Sequence, residues 1–137
     1  GQYNTCACLV SQKGAQAAYS GDQSCVEEMR KAYENRRNLI CQLVGEIPGL
    51  QFAQPEGAFY LFPDVSAYYG KKYMADGAWR TVKNSDDMAE YLLNEAHVAV
   101  VAGSAFGEDN CIRLSFAISE EDISKGMNRI KKALSKL

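Results

Sequence analysis

Hydrophobic positions along this chain follow two rhythms, one with the period of a helix and one with the period of a strand. Near the C-terminal end, Ile123, Met127, Ile130, Leu134 and Leu137 recur at spacings of four, three, four and three. They therefore share one face of an amphipathic helix. Ser119-Glu120-Glu121-Asp122 has the form of a capping box just ahead of them, and it predicts where that helix begins. Met29, Tyr33, Ile40, Leu43 and Val44 repeat the helical period opposite Glu27, Glu28, Arg30, Lys31, Arg36 and Arg37. A long helix is predicted there, from Val26 to near Gly45. Met88, Tyr91, Leu92 and Leu93 predict a third, with Ser85 as its cap. The small-residue stretch Thr5 to Ala18 is compatible with helix but has a weak apolar face, and Tyr19-Ser20-Gly21-Asp22 reads as a turn in which Asp22 or Ser20 caps the next helix.

The strand rhythm is clearest in Cys111-Ile112-Arg113-Leu114-Ser115-Phe116-Ala117. Alternation puts Ile112, Leu114 and Phe116 on one face and Arg113 with Ser115 on the other. Pro55-Glu56-Gly57-Ala58-Phe59-Tyr60-Leu61-Phe62-Pro63 is an aromatic-rich strand candidate bounded by prolines, in which Gly57 would permit close backbone approach or an unusual dihedral. Leu50 to Ala53 and Val98 to Val101 are further strand candidates, and the turn-rich run from Ala102 to Asn110 joins the latter to the strand bearing Arg113. Asp64 to Asn84, rich in Tyr, Lys and Gly without a clear period, is predicted to be an irregular excursion over the surface. The order helix, helix, strand, strand, helix, strand, strand, helix predicts an α+β fold, with a small, mostly antiparallel sheet packed against helices.

Composition narrows the classes of function. At 137 residues, 47% of them hydrophobic and 23% charged, the chain has the make-up of one globular domain that needs no disulfide framework. No segment approaches the roughly 20 apolar residues of a membrane helix. A formal charge of -2 with scattered lysines leaves no basic stripe for a nucleic-acid backbone. Neither membrane nor nucleic acid is an expected partner. Cys6, Cys8, Cys25, Cys41 and Cys111 are an odd number without a C-x-x-C pair, and His97 is the single histidine. Zinc-ligand spacing is absent, reduced thiols in the cytoplasm are the expected state, and His97 reads as a structural or surface residue. No signal-peptide pattern is present, and the opening on Gly1 rather than Met suggests a processed chain or an expressed fragment.

Arg113 is the candidate for chemistry. Held on a stiff strand and aimed away from the core, its planar guanidinium suits bidentate recognition of a carboxylate or phosphate, although an arginine on a strand face is by itself most simply a solvated charge.

Three motifs in order change that balance. Pro55-Glu56-Gly57-Ala58-Phe59-Tyr60, then Val98-Ala99-Val100-Val101-Ala102-Gly103-Ser104-Ala105-Phe106-Gly107, then Ile112-Arg113-Leu114-Ser115-Phe116-Ala117 resemble the successive C-terminal signatures of the class I/II aminotransferases, the aspartate aminotransferase family of fold-type I pyridoxal-phosphate enzymes. Ala102 stands where the family usually has proline, a departure that concerns loop stiffness. The resemblance implies the small C-terminal domain over residues 21–137, with residues 1–20 a remnant of the interdomain helix or linker. It implies that Arg113 binds the substrate α-carboxylate. It also places Phe59 and Tyr60 near the pocket, with core packing the alternative for aromatics on a strand, while Gly103 and Gly107 serve loop geometry. No lysine stands in the family's serine-rich Schiff-base motif. Pyridoxal 5'-phosphate is thus expected in the full-length enzyme and not on this fragment, and no catalytic, cofactor-binding or metal-binding residue is assigned within it. The full-length chain would be a cytoplasmic homodimer that transfers an amino group between an amino acid, aspartate or a related one, and a 2-oxo acid; without its large domain the fragment would be inactive. Two other classes stay open: a small-ligand-binding or regulatory α+β module in which Arg113 holds an acidic metabolite without chemistry, and a structural interaction domain that docks through Thr5 to Ala18.

Overall fold

The computed structural model describes residues 6–137. Gly1, the start of the predicted 1–20 remnant and Thr5 at the head of the predicted small-residue helix lie outside the described residues. The chain divides into two units, residues 1–32 and 33–137. In the first, helix α1 spans Leu9–Ser20 and buries none of its residues, as its weak apolar face suggested. Asp22 accepts a hydrogen bond from the Ser24 backbone N–H at 3.1 Å, where helix α2, Ser24–Gly45, begins. Residues of α2 from Tyr33 onward belong to the second unit.

That second unit is α+β. Strand β1 (Tyr60–Leu61), the hairpin strands β2 (Lys72–Ala75) and β3 (Ala78–Thr81), helix α3 (Ser85–Tyr91), strands β4 (Val101–Ala102) and β5 (Ile112–Ser115), and helix α4 (Glu120–Leu134) follow in chain order. β5 is the centre of a three-stranded antiparallel sheet. Tyr60 lies opposite Ser115 and Leu61 opposite Leu114 on one side, and Val101 lies opposite Arg113 and Ala102 opposite Ile112 on the other. Alternation along β5 sends Ile112 and Leu114, with Phe116 beyond them, into a core shared with Ile40 and Val44 of α2, Met88 and Tyr91 of α3, and Ile123, Met127, Ile130 and Leu134 of α4. Burying that many aliphatic and aromatic side chains, at roughly 1.5–3 kcal/mol each, supplies the main driving force for the sheet–helix layering. Ser119 caps α4 by accepting the Asp122 N–H at 3.1 Å, and acidic residues in the first turn with Lys131 and Lys132 in the last match the helix dipole.

Several predicted elements differ in the structure. The excursion from Asp64 to Asn84 is no irregular surface loop: it contains a 3-10 turn at Ser66–Tyr68 and the β2–β3 hairpin. Asp76 and Gly77 both take positive φ, at 51° and 75°, the two-residue turn that an Asp-Gly pair favours. Tyr73 points inward to meet the Tyr91 ring at 4.6 Å. Helix α3 is capped by Asn84, whose side chain accepts the Asp87 N–H, and not by Ser85. The strand predicted over Pro55–Pro63 shortens to Tyr60–Leu61 because Ala58 sits in the left-handed region at φ 59°; the unusual dihedral falls on Ala58 and not on Gly57. Leu50 to Ala53 contributes only an isolated bridge between Gln51 and Asp64, and the strand predicted at Val98 to Val101 is shifted to Val101–Ala102. His97 is exposed and left-handed, closing a π-type turn at Leu92–Ala96. Among the described residues no helix is long and apolar enough to cross a membrane.

Tyr91 gives the core a pH dependence. Its hydroxyl, buried between α3 and α4, donates to the Ala133 carbonyl at 2.7 Å, and burial, reinforced by the Glu95 charge, pushes its pKa from 10.0 up to about 12. The folded state holds the phenolic proton more tightly than the unfolded state. Its contribution, about 2 to 3 kcal/mol, is therefore complete below pH 10 and is lost as pH rises through 12. Urea unfolding between pH 8 and 12 should show this decline, and Tyr91→Phe should remove that part of the slope; an unchanged slope would contradict it.

Candidate functional site

The face of β5 turned away from the core carries Arg113 and Ser115. Leu61 on the neighbouring strand is buried, so Tyr60 falls on the same outer face as Arg113. The Arg113 guanidinium carbon lies 4.4 Å from the Tyr60 ring centre and 4.3 Å from that of Phe106. Tyr60 comes from β1 and Phe106 from the loop after β4, strands on opposite sides of β5. The cation is thus flanked by two rings, each contact contributing about 0.5–1 kcal/mol at an exposed site. Further aromatics extend the row. Phe59 lies 4.3 Å from Tyr60 and 6.2 Å from Tyr33, and Phe62 meets Phe106 edge-on at 6.0 Å.

No described residue makes a hydrogen bond or ion pair with Arg113, whereas Arg80 is tied to both Glu90 and Asp76. The aromatic contacts restrict the long side chain before any ligand arrives, and the N–H donors in the guanidinium plane have no partner among the described residues. A rigid, unneutralised fork of this kind fits a planar carboxylate through two parallel N–H···O bonds. Much of the ordering entropy that a free arginine would lose on binding is already spent.

The loop that brings Phe106 to Arg113 is closed by Gly103. Its N–H donates to the Cys111 carbonyl at 2.9 Å, and its own carbonyl accepts the Glu108 N–H at 3.1 Å. Gly107 takes φ 79°, the left-handed conformation that ends the 3-10 turn Gly103–Phe106. Cys111, just before β5, is a free thiol whose pKa is raised by burial and, after that, by Asp64 and Glu108. It is therefore a poor nucleophile. Among the described residues no group of His, Cys, Asp and Glu is arranged to hold a metal.

The aminotransferase class I and II family model matches residues 2–130. The chain belongs to that family. It is 43% identical over 137 residues to the bifunctional aspartate aminotransferase and glutamate/aspartate-prephenate aminotransferase of Petunia hybrida, covering 97% of this chain and 28% of the relative. It is 47% identical over 112 residues to a probable aspartate/prephenate aminotransferase of Aquifex aeolicus, covering 82% and 26%. Among solved structures, the aspartate aminotransferase of Rhizobium meliloti superposes with a TM-score of 0.88 at 36% identity, over 99% of this chain and 33% of the other. The chain thus spans less than a third of the length of these curated relatives.

Family membership implies pyridoxal phosphate in the full-length enzymes, but the described residues do not make a cradle for it. A Schiff-base lysine works in a water-shielded site with phosphate donors and an acid for the ring nitrogen. Every lysine here is exposed, and Ser85 is the one buried polar residue among those described. Lys83 and Arg80 border an open polar hollow of about 330 Å³, but Asp87 and Glu90 line it too. Arg80 is already paired with Glu90 and Asp76, and the carboxylates oppose a phosphate there.

Of the residues singled out from sequence, Arg113 and Tyr60 meet directly and Phe59 joins through Tyr60. Phe106 is the residue of the site that the sequence does not single out: it stands inside the Gly103–Gly107 motif, and an aromatic between two loop glycines is its one local signal.

Proposed function

We propose that Arg113 binds the α-carboxylate of an amino-acid substrate and that this chain forms the small C-terminal domain, over residues 21–137, of an amino-group-transferring enzyme. The observation that carries this reading is the guanidinium fixed between Tyr60 and Phe106 with its donors unspent. A two-point grip on the carboxylate fixes the substrate's Cα relative to the reacting centre, and the apolar rims of Tyr60, Phe59 and Phe106 shed water around it. The pyridoxal phosphate on which such chemistry depends is held, in this reading, outside these 137 residues, by a large domain that closes against this one. Residues 1–20 would belong to the connection between them, and the whole enzyme would be a cytoplasmic homodimer.

The amino donor in this reading is aspartate or a related amino acid. Two of the relatives are named for prephenate as well as aspartate; donor amino acid and acceptor 2-oxo acid both offer the carboxylate that Arg113 recognises. The assay is amino transfer by the full-length protein from aspartate or glutamate to 2-oxoglutarate, oxaloacetate or prephenate, run beside the isolated 137-residue chain supplied with pyridoxal phosphate. Activity in the former and none in the latter is expected. Turnover by the isolated chain would overturn the division of labour, and a full-length protein that transfers no amino group would overturn the enzyme reading.

A further inference from the structure

We propose that Ser85 is a positioning residue for Arg113, acting through the loop that carries Phe106; the inference rests on reading Arg113 as the carboxylate anchor. Phe106 is 49% exposed, so core packing does not fix its ring. Beyond the edge-on contact with Phe62 at 6.0 Å, its place over Arg113 comes from the loop backbone. That backbone is gripped at two points by the first turn of α3. The Ser85 hydroxyl donates to Asp109 Oδ1 at 2.7 Å and accepts the Ser104 N–H at 3.0 Å, and the Ser85 N–H donates to the same Asp109 oxygen at 3.1 Å. The Ser104 hydroxyl donates to Asp86 Oδ2 at 2.7 Å. Phe106 lies between the two clamped positions, 104 and 109.

Ser85 is fully buried and uses its hydroxyl as donor and acceptor at once. An alanine there would remove the acceptor of the Ser104 N–H and one donor to Asp109, cutting both side-chain ties between the loop and Ser85. The Tyr69 hydroxyl donates to the Asp109 carbonyl at 2.6 Å, which keeps the loop attached by its backbone when the Ser85 contacts go. The ordering of Phe106, and through it of the Arg113 fork, is what the Ser85 hub adds. Helix α3 thereby sets the geometry of a residue on β5 to which it makes no hydrogen bond or ring contact.

The test uses the full-length protein with Ser85→Ala, Asp109→Ala and Asp109→Asn. Asp109 is exposed, so its variants approach the same contact without disturbing the core. Because the carboxylate grip is shared by ground and transition states, KM for the amino-acid substrate should rise about tenfold in Ser85→Ala and Asp109→Ala, with kcat changed less than about threefold. Asp109→Asn keeps an acceptor oxygen for Ser85 and should restore KM. A second readout needs no substrate: the rate at which phenylglyoxal modifies Arg113, followed by mass spectrometry, should rise in Asp109→Ala and return in Asp109→Asn. If the variants only lower the unfolding midpoint and leave both KM and the modification rate unchanged, Ser85 is purely structural and the proposal is overturned. A faster modification rate with unchanged KM would uphold the positioning and instead overturn the carboxylate role of Arg113.

Discussion

Gly103→Ala is expected to destabilise the protein by about 3 kcal/mol or to prevent its folding. A Cβ built at position 103 would stand 2.1 Å from the Glu108 carbonyl oxygen and 2.3 Å from that of Cys111. Both neighbours are backbone atoms, so no side chain can swing aside. Relief requires the loop to open, breaking the hydrogen bonds from the Gly103 N–H to Cys111 and from the Glu108 N–H to Gly103. Gly107→Ala is the natural control: it has a positive φ of 79° but nothing within 4 Å of its Cβ position, so its cost should be about 1–2 kcal/mol of left-handed strain. Urea unfolding of both variants measures the contrast. A Gly103→Ala protein within about 1 kcal/mol of wild type would show that the loop is not closed as described.

Arg113→Lys in the full-length enzyme is expected to lower kcat/KM on the order of a hundredfold while leaving pyridoxal phosphate binding intact. The charge survives this substitution; the geometry does not. An ammonium presents one centre instead of a planar fork, so it can neither grip both carboxylate oxygens nor lie flat between Tyr60 and Phe106. Stability should fall by no more than the two ring contacts supply, about 1–2 kcal/mol, which separates loss of substrate binding from loss of fold. Steady-state kinetics across a substrate series reads the effect, and unchanged kinetics would remove the role assigned to Arg113.

What was legible in the sequence follows the range of the interactions involved. Helix α4 was readable because its period, its Ser119 cap and its terminal charges all lie within fifteen residues or so of one another and agree. The two faces of β5 were readable because pleating alone separates Ile112 and Leu114 from Arg113. The β2–β3 hairpin carried a local signal, Asp76-Gly77, that the surrounding Tyr, Lys and Gly residues obscured. Asn84 and Ser85 illustrate the opposite case. Both are good cap residues, and the choice between them was settled by Asp109, twenty-four positions away, which draws the Ser85 hydroxyl into the loop network. Ala58 delays the start of β1 through a backbone conformation that a residue with a Cβ rarely adopts, and no propensity argument foresees it. Within the candidate site, the cation was visible and its clamp was not: Phe106 reaches Arg113 only after Gly103, Ser85 and Asp109 have closed the loop.

The most direct test is a crystal structure of the full-length protein with a bound dicarboxylate such as maleate. The account predicts one carboxylate in the plane of the Arg113 guanidinium, with two N···O contacts of roughly 2.7–2.9 Å, and Tyr60 and Phe106 still against the cation. A dicarboxylate bound through other cations, with Arg113 still unpartnered between its two rings, would contradict it.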